Sequence, residues 1–323
     1  MKNILITSKI PEIAVSILKS KGYTVDVNNT DSIPTQGQII KLLKKKPYDA
    51  VISLLTNKID AKIFDASPSV KIYVNYASGF DNIDVVEAKN RGILVANSPA
   101  DQSAEAVAEH TIALMLSLAA RIVESDMFVR KGKYKGWMPM NFIGTDILGK
   151  TLGLIGSGRI GQKVIHYCKG FGLKIIYHDV NRNEQIEKEY GAVYCNSVED
   201  LLKQADIVSL HVPLLPSTKH LINETRLHLM KPTSILVNTS RGPVIDEKAL
   251  AKALKNKVIE GAGLDVFEFE PKITPELLKL PNVILTPHTA SASIEARNEM
   301  AEISANNIID FFEGRTPRNL VNK

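Results

Sequence analysis

The chain has 323 residues, of which 44% are hydrophobic, 23% charged and 6% aromatic, a balance that excludes disordered, collagenous and low-complexity classes. At about 150 residues per domain, two domains are expected, each with its own core. Forty Lys and Arg against 35 Asp and Glu leave a formal charge of +5, and the densest basic run, Lys44-Lys45-Lys46, reads as the solvated end of a helix, so no nucleic-acid partner is expected. From the N-terminus, Ile4–Thr7, Tyr23–Val27, Ala50–Leu54, Val70–Asn75 and Ile93–Ala96 read as strands, with helices such as Pro11–Ser20 and Gln36–Lys45 between them. Ala100–Ser103 reads as a loop, and 104–120 as a long buried helix that carries Glu105, Glu109 and His110 and falls short of a membrane span. A Gly/Trp/Pro-rich crossover over 132–149 follows. A second strand series then runs through Thr151–Ile155, Lys174–Tyr177, Ile207–Leu210, Ser234–Asn238, Ile259–Leu264 and Val283–Leu285. The last periodic segment, Ala292–Phe312, must bury Ile303, Ile308, Ile309 and Phe312 on one face. Strands alternating with helices predict two α/β units built on doubly wound parallel sheets. The N-terminus lacks a signal-peptide pattern, and Cys168 and Cys195 have no disulfide or metal spacing, so a cytoplasmic protein without a metal or membrane association is expected.

Gly156-Ser157-Gly158-Arg159-Ile160-Gly161 follows the apolar run Leu152–Ile155 and opens a helical segment. In that context G-x-G-x-x-G has a physical meaning. Gly156 permits a tight turn, Gly158 lets backbone approach a pyrophosphate, and Gly161 packs helix on strand, while the helix N-terminus offers free amides. Asp179 ends the next strand, eighteen residues beyond Gly161, where an acidic group grips ribose hydroxyls. A 2′-phosphate there would meet like charge, so NAD is preferred to NADP, although Arg182 stands nearby as a group able to reach a phosphate.

Three polar residues follow later strands, at the edge where open α/β sheets collect ligands. Arg241 lies in Asn238-Thr239-Ser240-Arg241-Gly242-Pro243, and a guanidinium donates paired hydrogen bonds to a carboxylate and polarises a neighbouring carbonyl. His288 lies in Thr286-Pro287-His288-Thr289, and Glu270 in Phe267-Glu268-Phe269-Glu270-Pro271. A carboxylate on one imidazole nitrogen fixes the tautomer and stabilises imidazolium, making the ring a proton donor near neutral pH. The other six histidines show no metal spacing.

These motifs, together with Gly263-Leu264-Asp265-Val266-Phe267-Glu268, resemble those of the D-isomer-specific 2-hydroxyacid dehydrogenases over essentially the whole chain. The resemblance implies a Rossmann NAD-binding domain over 100–290 and a flavodoxin-like substrate domain from 1–99 plus 291–323, with homodimers formed through the cofactor domains. It gives Arg241 the substrate carboxylate and carbonyl, His288 the proton, and Glu270 the support of that histidine. Asp265 would sit near the nicotinamide carboxamide, with further cofactor contacts from His211, Val212, Pro213, Thr218, Thr239 and Ser240. Leu54 and the glycine loop with Ser78 and Gly79 would meet the substrate. Asn75-Tyr76-Ala77 through Asp84 and Gly136-Trp137-Met138-Pro139 look most like the glyoxylate and hydroxypyruvate reductases. The implied activity is NADH-dependent reduction of a small 2-keto acid. The alternatives are D-lactate or D-3-phosphoglycerate dehydrogenase, or a non-enzymatic NAD-sensing interaction protein on the same fold.

Overall fold

Apolar residues alternate faces along each strand, and in both halves of the chain this buries the two faces of a wholly parallel sheet. The computed structural model describes residues 2–322, which divide into one unit of residues up to 103 with those from 292 onward, and a second of 104–291. In the first unit, β1 (Asn3–Ile6), β2 (Thr24–Val27), β3 (Ala50–Leu54), β4 (Ile72–Tyr76) and β5 (Leu94–Ala96) stand in the order β2-β1-β3-β4-β5. This is the flavodoxin-like order, with its crevice between β1 and β3. Ile4, Ile6, Ile52, Ile72 and Val74 pack on one face with the helix Glu12–Ser20 and with Met300, Ala301, Ala305, Ile308 and Ile309 of the helix Ile294–Phe312. Leu5, Val51, Tyr73 and Val95 face the other way, onto Ile39, Leu43, Ile63 and Phe64.

The second unit orders β6 (Thr151–Ile155), β7 (Lys174–His178), β8 (Val193–Tyr194), β9 (Ile207–Leu210), β10 (Ile235–Asn238), β11 (Gly261–Leu264) and β12 (Val283–Leu285) as β12-β11-β10-β9-β6-β7-β8. Counted from β6, that is the dinucleotide-binding order 3-2-1-4-5-6 with a seventh strand added, and the order reverses between β6 and β9. Leu114 and Leu118 of the helix Asp101–Ala119 lie where side chains on Gly261 and Gly263 would be, so these glycines let that helix pack flat on β11.

Four points of the sequence reading need correction. Asp101–Ser103 is the first turn of the long helix rather than part of a loop. A further helix, Ile122–Arg130, follows it directly. The edge strand β8, only two residues long, was too short to announce itself by alternation. Val70 and Ser234, read as strand residues, instead close turns onto Ser67 and Lys231 before β4 and β10 begin.

Candidate active site

The glycine loop fills the space between β6 and the helix Arg159–Cys168 at the point where the sheet order reverses. Gly156 has φ +99°, and a Cβ there would lie 2.4 Å from the carbonyl oxygen of His211, so the turn requires glycine for both conformation and space. A Cβ on Gly161 would strike the carbonyl oxygen of Gly156, again at 2.4 Å. At Gly158, the residue that precedes the helix start formed by Arg159, Ile160 and Gly161, an added Cβ would meet no protein atom within 4 Å. No side-chain hydrogen bond from Gly158 caps that helix, whose N-terminus carries the positive end of the helix dipole that suits an anion.

Asp179 follows β7. Its Oδ2 accepts from the amide of Ser157 at 2.7 Å and from the Ser157 hydroxyl at 3.0 Å, while Oδ1 accepts from the Val180 amide. The carboxylate thus ties the glycine loop to the end of the neighbouring strand. It borders an open cleft of about 480 Å³ lined by Ser157, Gly158, Asn181, Arg182, Asn183 and Glu184. Arg182 makes a two-pronged pair with Glu187 at 2.8 and 2.7 Å, and the guanidinium, with the Tyr177 hydroxyl, holds the Glu187 carboxyl down to about 2. The geometry therefore suits a dinucleotide phosphate at Gly158 and a diol at Asp179.

After β9, the amide of His211 donates to Ile155. Its Nε2 lies 2.8 Å from the Ser209 hydroxyl, and burial pushes the ring down to about 4, so it is neutral at pH 7. Val212 packs beside Gly156, and the Thr218 hydroxyl closes the next turn by bonding Pro213 and Leu215. Thr218 thus serves its own loop. Thr239 meets the Thr111 hydroxyl at 2.8 Å, and Ser240 bonds Asn238 through both its amide and its hydroxyl.

Arg241 leaves β10 in extended backbone, with Nη1 on the carbonyl oxygen of Ser240 at 2.8 Å. The next residue fixes its place. A Cβ on Gly242 would lie 1.9 Å from the carbonyl carbon and oxygen of Phe267, so the turns after β10 and β11 are in backbone contact and only glycine fits.

Asp265, fully buried, organises the turn after β12. Its Oδ1 accepts from the Thr286 hydroxyl and the Thr289 amide, its Oδ2 from the Ala290 amide, and its carbonyl oxygen from the His288 amide. His110, on the long helix, adds a contact to Thr286 at 3.0 Å. The expectation from resemblance, a contact to the nicotinamide carboxamide, omits this internal role. His288 is held at φ +56°, an uncommon conformation for a residue with a Cβ, and one that persists where the surroundings over-determine it. Its Nδ1 lies 2.9 Å from Glu270 Oε2, and Glu270 Oε1 accepts from the Phe267 amide. Burial presses the Glu270 carboxyl upward. The hydrogen bond and charge of His288, the Phe267 amide and the charge of Arg241 outweigh it and hold the group below the usual carboxylate range.

In the first unit, Leu54 and the Ser78-Gly79 turn follow β3 and β4. Asn75 donates to the carbonyl oxygen of Gly79 and to Asn82, Asn82 donates to those of Leu54 and Asn57, and Asn97 to that of Ser78. This amide network, invisible to motif reading, fixes both turns at the carboxyl edge of that sheet.

A sequence profile described as "D-isomer specific 2-hydroxyacid dehydrogenase, NAD binding domain" matches residues 112–290, more than half of the chain. The chain belongs to the D-isomer specific 2-hydroxyacid dehydrogenases. It is an oxidoreductase, and its second unit is the NAD-binding domain of that family. A glyoxylate reductase of Thermococcus litoralis is 48% identical, with 99% of this chain and 96% of that protein covered. Among solved structures, an NADPH-dependent glyoxylate/hydroxypyruvate reductase of Sinorhizobium meliloti in complex with citrate superposes with a TM-score of 0.85 at 30% identity, covering 99% and 98% of the two chains. A D-lactate dehydrogenase of Aquifex aeolicus complexed with NAD and lactic acid gives 0.84 at 33%, covering 99% of each. Among the described residues, no helix of this dehydrogenase is long and apolar enough to cross a membrane.

Proposed function

We propose that this dehydrogenase reduces a small 2-keto acid of the glyoxylate and hydroxypyruvate class to the D-2-hydroxy acid with NADH, with His288 as the proton donor. One observation carries the reading: the 2.9 Å pairing of His288 Nδ1 with Glu270, on a turn that Asp265 locks. With Nδ1–H directed at the carboxylate, the exchangeable proton of the imidazolium sits on Nε2. When bound, the dinucleotide supplies the hydride that reduces C2 of the substrate. His288 gives its Nε2 proton to the carbonyl oxygen as negative charge grows there, and the Glu270 carboxylate stabilises the charged ring beforehand. Arg241 takes the substrate carboxylate and draws electron density from the adjacent carbonyl. Gly156, Gly158 and Gly161 give the pyrophosphate its approach, and Leu54, Ser78 and Gly79 are assigned to the substrate. The same resemblance pairs two copies through the second unit, a reading supported by the exposed Met127, Val129, Trp137 and Met140 there.

The direct test is oxidation of NADH and NADPH, followed by absorbance, against glyoxylate, hydroxypyruvate, pyruvate and 3-phosphohydroxypyruvate. Rapid NADH-dependent turnover of the first two is expected. Tight NADH binding without turnover of any of the four would overturn the assignment and favour cofactor sensing.

Cofactor choice follows from charge. Asp179 opposes a 2′-phosphate, and Arg182, which could favour one, is engaged by Glu187. Asp179→Asn keeps an acceptor for the Ser157 amide and removes the charge, so kcat/KM with NADPH relative to NADH should rise about 10-fold. An unchanged ratio would show that this carboxylate does not select the cofactor.

Glu270→Gln carries the pH prediction. Because the folded-state pKa of Glu270 is lowered, its charge contributes stability at neutral pH that is lost as pH falls through that value. Across the neutral range it is ionised and supports imidazolium. Glutamine removes that support, so on the alkaline side keto-acid reduction should fall at lower pH than in the parent. A pH–rate profile that superposes on the parent's would remove Glu270 from the mechanism.

A further inference from the structure

Two residues before Glu270, a second histidine–carboxylate pair sits behind the site. His220 Nε2 lies 2.7 Å from Glu268 Oε1, and Glu268 Oε2 accepts from the Glu247 amide at 3.1 Å, at the start of the helix Glu247–Lys255. The Glu268 side chain is only 10% exposed, and His220 is held at φ +50°. The His220 amide donates to the carbonyl oxygen of Pro243, and Ile222 runs parallel to Ile245. Gly242 abuts the Phe267 and Glu268 backbone. Glu247 carries the chain of contacts onward, its buried carboxylate accepting from both the amide and the hydroxyl of Thr274, just beyond Glu270-Pro271.

We infer that Glu268, paired with His220, is a positioning residue: it closes a ring of contacts around Arg241-Gly242-Pro243 and clamps the turn that carries Arg241 against the turn that carries Glu270. The inference rests on the reading of Arg241 as the substrate-carboxylate residue. The ring is built from three segments distant in sequence. His288 and Glu270 have their own anchors, Asp265, Thr286 and the Phe267 amide. Loss of the ring therefore displaces Arg241 while leaving the proton donor in place. A misplacement of about 1 Å costs up to ~10²-fold in rate, so the effect is readable without unfolding the chain.

The experiment compares Glu268→Ala, His220→Ala and Glu268→Gln with the parent. It measures steady-state kinetics with glyoxylate at saturating NADH, pH–rate profiles, and amide hydrogen exchange over 239–246. Both alanine variants should lower kcat/KM for glyoxylate about 10-fold, chiefly through a raised KM, leave the pH profile near the parent's, and speed exchange of the Val244 and Ile245 amides. Glu268→Gln, which can still accept from the Glu247 amide and bond the ring, should recover most of the loss. His220→Ala, at the more exposed position, keeps the test valid if Glu268→Ala folds poorly. Unchanged KM and unchanged exchange in His220→Ala would overturn the inference, and so would a shifted pH profile, since the pair would then act through His288. A parent that does not turn over glyoxylate would refute the proposed function, while exchange over 239–246 would still decide whether the ring holds that turn.

Discussion

His288→Ala should lower turnover of glyoxylate by about 10²- to 10⁴-fold while leaving NADH affinity unchanged. General acid catalysis contributes that range, and the glycine loop that would hold the dinucleotide lies on β6, apart from the turn after β12. The backbone matters to the choice of variant. At φ +56°, alanine costs about 1 kcal/mol or more in a conformation that asparagine tolerates better. His288→Asn should therefore be the more stable of the two and equally inactive. Two variants of different stability and equal inactivity separate lost chemistry from lost folding. Turnover within a few-fold of the parent in either would remove His288 as the proton donor.

Gly242→Ala should be the most damaging small substitution near the site. Its methyl group would sit 1.9 Å from the Phe267 backbone, and no flexible side chain is available to give way. One of two backbone turns must move. Overpacking of this kind costs about 3 kcal/mol, which lowers the thermal midpoint by about 2–4 °C per kcal/mol for a unit of this size. Because Arg241 is the preceding residue, catalytic loss should exceed the loss of folded protein. Gly170→Ala is the control, since a Cβ there meets nothing within 4 Å. Equal stability of the two variants, by thermal melting, would contradict the close approach.

The parts of this arrangement that are legible in the sequence are those written locally. The glycine loop announces itself because three glycines stand between an apolar strand and a helix, and Arg241, Glu270 and His288 because they follow apolar runs. The pairing of Glu270 with His288 needs only the knowledge that adjacent parallel strands end side by side. What stays hidden depends on contacts across the chain. His220 and Glu268 are 48 residues apart and share no motif spacing. The work of Asp265 as the anchor of the 286–290 turn shows only when β11 and β12 are paired, and the left-handed backbone of His288 has no glycine to signal it. The edge strand β8 is missed because two residues hold no periodicity.

The first unit is assembled from both ends of the chain, and this orders events during synthesis. Residues up to 103 leave the ribosome with β1–β5 complete but without Met300, Ala301, Ala305, Ile308 and Ile309, which cover one face of their sheet. The whole of 104–291 must be made before those residues appear, a delay of roughly 10–40 s at ~5–20 residues per second. Throughout that interval Ile4, Ile6, Ile52 and Val74 lack their final cover, and by its end the second unit has every residue of its own core. The NAD-binding domain can therefore fold during translation, and the older segment of the chain must wait for the youngest, which makes it the natural client for a chaperone in the nascent protein.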